Sequence, residues 1–202
     1  LNSVPKKFGF DLDNTLIDYS NAVQEYCSNE GIDECKTLDT LRVLLRESDK
    51  TGRLWQLAQG WLYTDGLLYA RPGQGALELC EFLRKSNFEL LIVSHKTTNT
   101  PDFCGQKPLR DVAAKWIRDG DLANYFLGDK SIYYESTRSL KVERIQRLNL
   151  NYFVDDLVEV FQEPGFPQDV RSFLLSGTRS ELTWVQNVPS LNAIKGLIEN
   201  EQ

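Results

Sequence analysis

The sequence predicts an α/β domain: a doubly wound, mainly parallel sheet with a small helical insert after the first strand. Three observations predict it. Short apolar runs alternate with stretches of helical period, the pattern of strands joined by crossover helices. Residues 19 to 70 carry helical patterns only and interrupt that alternation directly after the first strand. Several strand-like runs also end in polar residues, where ligands of parallel sheets bind. The 202 residues suffice for one such domain with a core of its own.

The elements follow in order. Lys7-Phe8-Gly9-Phe10-Asp11-Leu12 reads as a short buried strand running into acids. In the insert, Ala22, Val23, Tyr26 and Cys27 share one helical face, and Leu38, Leu41 and Leu45 another. Leu54, Leu57, Ala58, Trp61 and Leu62 fit the i, i+3, i+4, i+7, i+8 template of a third helix. Arg71-Pro72-Gly73 marks the return crossing. The spacing then predicts a helix over 75–85 with Ala76, Cys80 and Leu83 inward, and a strand over 88–93. Leu109, Val112, Ala113, Trp116 and Ile117 mark a helix, and residues 132–134 a short strand. Val142, Ile145 and Leu148 mark a helix, residues 152–154 a strand, and residues 171–175 the last strand. Leu191, Ile194 and Leu197 mark the last helix.

Composition excludes several classes of function. Hydrophobic residues at 41% and charged residues at 26% exclude a disordered chain. Lys and Arg number 23 against 29 acids, so nothing supports nucleic-acid binding through a broadly basic surface. No apolar run exceeds four residues, which predicts neither a membrane span nor a signal-peptide core. Cys27, Cys35, Cys80 and Cys104 form no CxxC pair and are expected as free thiols in a cytoplasmic protein. One histidine argues against a multi-histidine metal site.

The strand ends carry the chemistry. Asp11 and Asp13 follow the first strand, spaced so that both can face one site while Leu12 packs inward. Ser94, His95 and Lys96 end the second predicted core strand, Lys141 opens a helix, and Asp155-Asp156 ends a later strand. Carboxylates, a hydroxyl and an ammonium at four such edges are a costly way to build a core. Lys130 is the rival of Lys141 as the cation on the phosphate side of the site. His95 fits a local hydrogen bond as well as a substrate contact, and Lys96 fits solvent as well as a phosphate. Trp55, Trp61, Tyr63 and Tyr69 could stack on a sugar or base, with core packing the favoured reading for Trp61.

Asp11-Leu12-Asp13-Asn14-Thr15-Leu16, then Ser94, then Lys141, then Asp155-Asp156, in that order, resembles the haloacid dehalogenase-like hydrolase superfamily. The match covers nearly the whole chain outside residues 19 to 70. It implies a Rossmann-like core of residues 1–18 and 71–202, with residues 19–70 as a helical cap over the active site. It also implies Mg²⁺ as cofactor and a small phosphorylated substrate, with no nucleic-acid or membrane partner. Asp11 would be the nucleophile, giving an aspartyl-phosphate. Asp13 would protonate the leaving oxygen and then deprotonate the attacking water. Lys141 would neutralise charge on Asp11 and the phosphoryl group. Thr15, Ser94, His95 and Lys96 are the substrate-binding candidates. Asp11, the Asp13 carbonyl, Asp155 and Asp156 would hold the metal, directly or through water.

Dehalogenases of the superfamily lack the second aspartate, because a halide leaves without a proton. Asp13 therefore points to phosphate esters, with hydrolysis and transfer both open. The strings Val93-Ser94-His95-Lys96-Thr97 and Phe153 to Val160 resemble a subgroup found with bacterial surface-polysaccharide biosynthesis, which implies a sugar phosphate. A signalling receiver domain uses similar groups, but its acid pair comes early and its acceptor aspartate mid-chain. A catalytically inactive binding module of the same fold is the remaining alternative.

Overall fold

The computed structural model describes residues 4–33, 35, 37–127, 130–176 and 181–200. Its elements run β1 (Lys6–Phe10), β2 (Ile17–Asp18), α1 (Ser20–Glu30), α2 (Leu38–Ser48), α3 (Arg53–Leu62), β3 (Arg71–Pro72), α4 (Ala76–Lys85), β4 (Phe88–His95) and α5 (Leu109–Asp119). They continue with β5 (Ile132–Glu135), α6 (Arg138–Leu148), β6 (Tyr152–Asp155), α7 (Val158–Phe161), β7 (Arg171–Leu175), β8 (Val185–Val188) and α8 (Leu191–Glu199). No helix among the described residues is long and apolar enough to cross a membrane.

A six-stranded sheet in the order β5-β4-β1-β6-β7-β8 forms the core. Every pairing within it is parallel. This is the doubly wound α/β architecture that the alternation predicts. The pleat sends alternate residues to opposite faces. Phe8, Phe10, Ile92, Tyr152, Val154 and Phe173 enter one hydrophobic cluster, shared with α4, α8 and the helical insert. Leu91, Val93, Phe153 and Leu174 enter the other, under α6 and α7. Gly9 faces the second cluster without a side chain, because a Cβ there would lie 2.4 Å from Leu150 Cδ1 and 2.9 Å from Phe153 Cδ2.

The insert leaves and rejoins the core through one ribbon. Ile17 pairs with Pro72 and Asp18 with Arg71, antiparallel. Gly73 follows at a close approach: a Cβ would lie 2.2 Å from the Thr15 carbonyl oxygen, which is backbone and cannot swing aside. Local capping sets helix starts in the insert and in the core. Thr37 and Thr40 form a reciprocal cap on α2, and the Thr137 hydroxyl accepts from Leu140 N–H at the start of α6.

Three expectations are corrected. Residues 171–175 are not the last strand, because β8 adds to the sheet edge beside β7. Its Val-Gln-Asn-Val sequence has a polar middle and buries only its two valines, so it carries little apolar signal. In α3 the buried side chains are Trp55, Ala58 and Leu62, while Leu54 and Leu57 are 41% and 38% exposed. The face is rotated because burying the Trp55 indole removes more apolar area than burying a leucine. Finally, β1 ends at Phe10, so Asp11 stands just beyond the last ladder residue.

Candidate active site

β1 lies between β4 and β6, so its carboxyl end opens onto the middle of the sheet edge. Asp11 N–H still donates to Val154 O at 2.9 Å, which fixes its backbone beside the end of β6. The chain then curls back on itself. Leu12 is fully buried, and its carbonyl accepts from Leu16 N–H at 3.0 Å and Ile17 N–H at 2.9 Å. Asn14 takes a left-handed φ of 61°, a conformation that asparagine adopts more readily than most residues. This curl presents Asp11 and Asp13 to one cavity of about 340 Å³.

Lys141 is 1% exposed although it is a lysine. It reaches the sheet edge from the first turns of α6. Its Nζ donates to Asp11 Oδ1 at 2.5 Å and to Asp155 Oδ2 at 2.6 Å. Asp155 is fully buried, and its other oxygen accepts from Leu157 N–H at 3.0 Å. Asp156 instead lines the cavity beside Asp11. Lys130 is exposed and lines a surface hollow with Phe88 and Ser131, at the opposite end of β4 and β5.

Asp13 is clamped from two sides. Its Oδ1 accepts from the Tyr19 hydroxyl at 2.6 Å. Its Oδ2 lies 2.7 Å from Lys96 Nζ, in an ion pair whose lysine side chain is 2% exposed. The same ammonium sits 4.4 Å from the centre of the Tyr63 ring. Lys96 thus points neither to solvent nor to the far side of the cavity. His95 lines the cavity and its Nε2 lies 3.1 Å from Ser136 O, while burial lowers its pKa. Thr15 and Ser94 are each 1% exposed, and neither hydroxyl has a hydrogen-bond partner. Neither is among the residues that line the cavity.

α3 supplies Gln56 and Gln59 to the cavity lining, and Tyr63, the residue that caps that helix, joins them. Of the four aromatic candidates in the insert only Tyr63 lines the cavity; Trp55 is buried, and Trp61 and Tyr69 pack on one another at 6.1 Å. Sequence reasoning missed Tyr19, Asn14 and Arg138. Arg138 could have been found, since it stands three residues before Lys141 on the same helical face. Tyr19 carries no comparable signal, because its partner is set by the curl after Asp11.

The electrostatics fit a small, hard cation. One oxygen from each of Asp11, Asp155 and Asp156 lies within 4.8 Å of the others. Burial pushes the Asp11 carboxyl up to about 7, against the opposing pull of Lys141. Burial, and then the charge of Asp155, raise Asp156 well above the usual carboxylate range. The acids therefore lack countercharge even with Lys141 present, and an all-oxygen set suits Mg²⁺.

A pH dependence follows. Asp11 and Asp156 hold protons in the folded chain that they release when unfolded, so metal-free stability falls as pH rises from about 4 through 7. Added Mg²⁺ is expected to raise the urea midpoint more at about pH 7.5 than at about pH 5, because metal displaces those protons. Equal protection at both pH values would remove Asp11 and Asp156 from the metal site.

No family model matches this chain, and no curated protein matches it. Solved structures do. A haloacid dehalogenase-like hydrolase from Streptococcus pneumoniae is 17% identical, with 96% of this chain and 98% of that one covered at a TM-score of 0.60. A predicted phosphatase from Clostridium acetobutylicum is 17% identical, with 98% and 100% covered at 0.60. The HAD-hydrolase YfnB from Bacillus subtilis, solved with magnesium bound, is 13% identical, with 98% and 100% covered at 0.58. The chain shares the fold of these three proteins.

Proposed function

We propose that the protein is a Mg²⁺-dependent phosphatase of the haloacid dehalogenase-like superfamily, hydrolysing a small phosphomonoester through an aspartyl-phosphate on Asp11. The observation that carries this reading is the convergence of Asp11, Lys141, Asp155 and Asp156 at the end of the central strand. Asp11 and Asp156, with the Asp13 carbonyl, would hold the metal directly. Asp155 would act through water, since its oxygens already engage Lys141 and Leu157 N–H. Bound Mg²⁺ supplies positive charge against the phosphate dianion.

The remaining work belongs to side chains of this chain. Asp11 attacks phosphorus as the bond to the leaving oxygen breaks, and Lys141 balances charge as the carboxylate becomes a mixed anhydride. Asp13 gives its proton to the leaving oxygen and later takes one from water. Tyr19 and Lys96 fix its two oxygens and compensate the anion left after the proton has gone. Residues 19–70 act as a cap, with Gln56, Gln59 and Tyr63 facing the substrate. The strings around Ser94 and Asp155 favour a sugar phosphate or related glycan precursor.

The test is a phosphate-release assay over sugar phosphates, nucleotides and acid phosphates, with Mg²⁺ or EDTA. Asp13→Asn is expected to slow sugar esters by about 10² to 10⁴, and p-nitrophenyl phosphate far less, because a phenolate needs little protonation. Equal slowing of both would confine Asp13 to a structural role. Release of a stoichiometric burst of alcohol without phosphate would mark a phosphotransferase instead.

A further inference from the structure

We infer that Arg138 forms a second anion-recognition point in this cavity, so that the substrate carries a carboxylate or second phosphate beside the scissile phosphomonoester. This rests on the phosphatase reading and narrows its substrate class. Three cations with long side chains line the cavity, and two are spoken for. Lys141 is shared by Asp11 and Asp155, and Lys96 is paired with Asp13. Arg138 has no acidic partner among the described residues, and its Nε is buried without any hydrogen bond. A guanidinium stays charged at any ordinary pH, and its Nε–H and Nη–H form a fork that matches an oxyanion.

Its position adds a second argument. Arg138 is the first residue of α6, and the first turn of that helix holds no acid. A cation at this end opposes the helix dipole, so the unbound site lacks negative charge twice over. Helical side chains lean toward the N-terminus, and Arg138 stands three residues before Lys141 on the same face. Its origin is therefore about 4.5 Å further out from the sheet edge than that of Lys141. Lys141 serves the reacting centre, and Arg138 serves a group one helical turn away. Asp11, Asp13 and Asp156 on the floor repel an anionic arm, which leaves the Arg138 side as its place.

Matched esters test this. 3-Phosphoglycerate is compared with glycerol 3-phosphate, and 6-phosphogluconate with sorbitol 6-phosphate, each pair differing by carboxylate against hydroxymethyl. Wild-type protein with Mg²⁺ is expected to favour the acid of at least one pair by about tenfold or more in kcat/KM, carried mainly in KM. Arg138→Met should collapse that ratio, and Arg138→Lys should retain part of it, since the charge remains and the fork is lost. No preference in either pair, or a ratio that survives Arg138→Met, overturns the proposal. So does a parallel loss on both members, which assigns Arg138 to the transferring phosphoryl group. Calorimetry with 3-phosphonopropionate and propylphosphonate gives a readout without turnover. If no ester is hydrolysed yet the carboxylate analogue binds more tightly through Arg138, the phosphatase reading fails and the anion site stands. Equal binding of the two analogues overturns the anion site.

Discussion

Asp11→Asn is expected to abolish turnover, by about 10⁴-fold or more, in a protein that remains folded. The amide is nearly isosteric with the carboxyl group but cannot attack phosphorus. Its fold should not suffer. Burial already pushes the Asp11 carboxyl up to about 7, so a neutral side chain at this position relieves a desolvation cost rather than adding one. Lys141 keeps Asp155 as a partner. Denaturation midpoints should therefore match or exceed wild type in EDTA. Mass spectrometry of acid-quenched wild-type protein should show a phosphoryl adduct on the peptide containing Asp11, and the variant should show none. Folded Asp11→Asn protein with wild-type turnover would sink the nucleophile assignment.

Lys141→Met is expected to damage both stability and activity. The ammonium is buried and makes hydrogen bonds to two carboxylates. Removing it leaves the buried Asp11 and Asp155 facing one another without countercharge, a change worth about 3–5 kcal/mol. Urea denaturation in EDTA near neutral pH reads this directly. The loss should shrink toward about pH 4, where Asp11 holds its proton. Mg²⁺ should restore part of the stability but not the activity, since the charge opposite the reacting Asp11 is still missing. A surface lysine would give a change within about 0.5 kcal/mol, and that result would reject the role given to Lys141.

Much of this was legible because parallel sheets deliver function at strand ends. The runs at Phe8, Leu90 and Phe153 are apolar enough to locate three strands, and the polar residues that follow each run then name the site. The partners of Asp13 were not legible. Tyr19 reaches it through the curl that Asn14 permits and Lys96 from just beyond β4, and neither pairing is written in local periodicity. The face of α3 was misjudged for a related reason: two leucine-bearing faces compete, and contact with the core decides between them. The strand β8 was missed because an edge strand buries few of its residues.

The central placement of β1 also fixes when the site can exist. β1 is first in the chain, yet its ladder partners are β4 and β6, and Phe10 pairs with both Ile92 and Val154. A chain emerging from the ribosome therefore carries Phe8 and Phe10 unpaired on one side until β6 has been made. Closing contacts so distant in sequence is slow, because the loop entropy is lost before the pairing is gained. The candidate nucleophile, cation and acid pair come from positions 11, 141, 155 and 156, so they can meet only once β6 has been made. Truncation before β6 should leave a chain that neither binds metal nor completes its sheet, and refolding of the full chain should recover activity and sheet together.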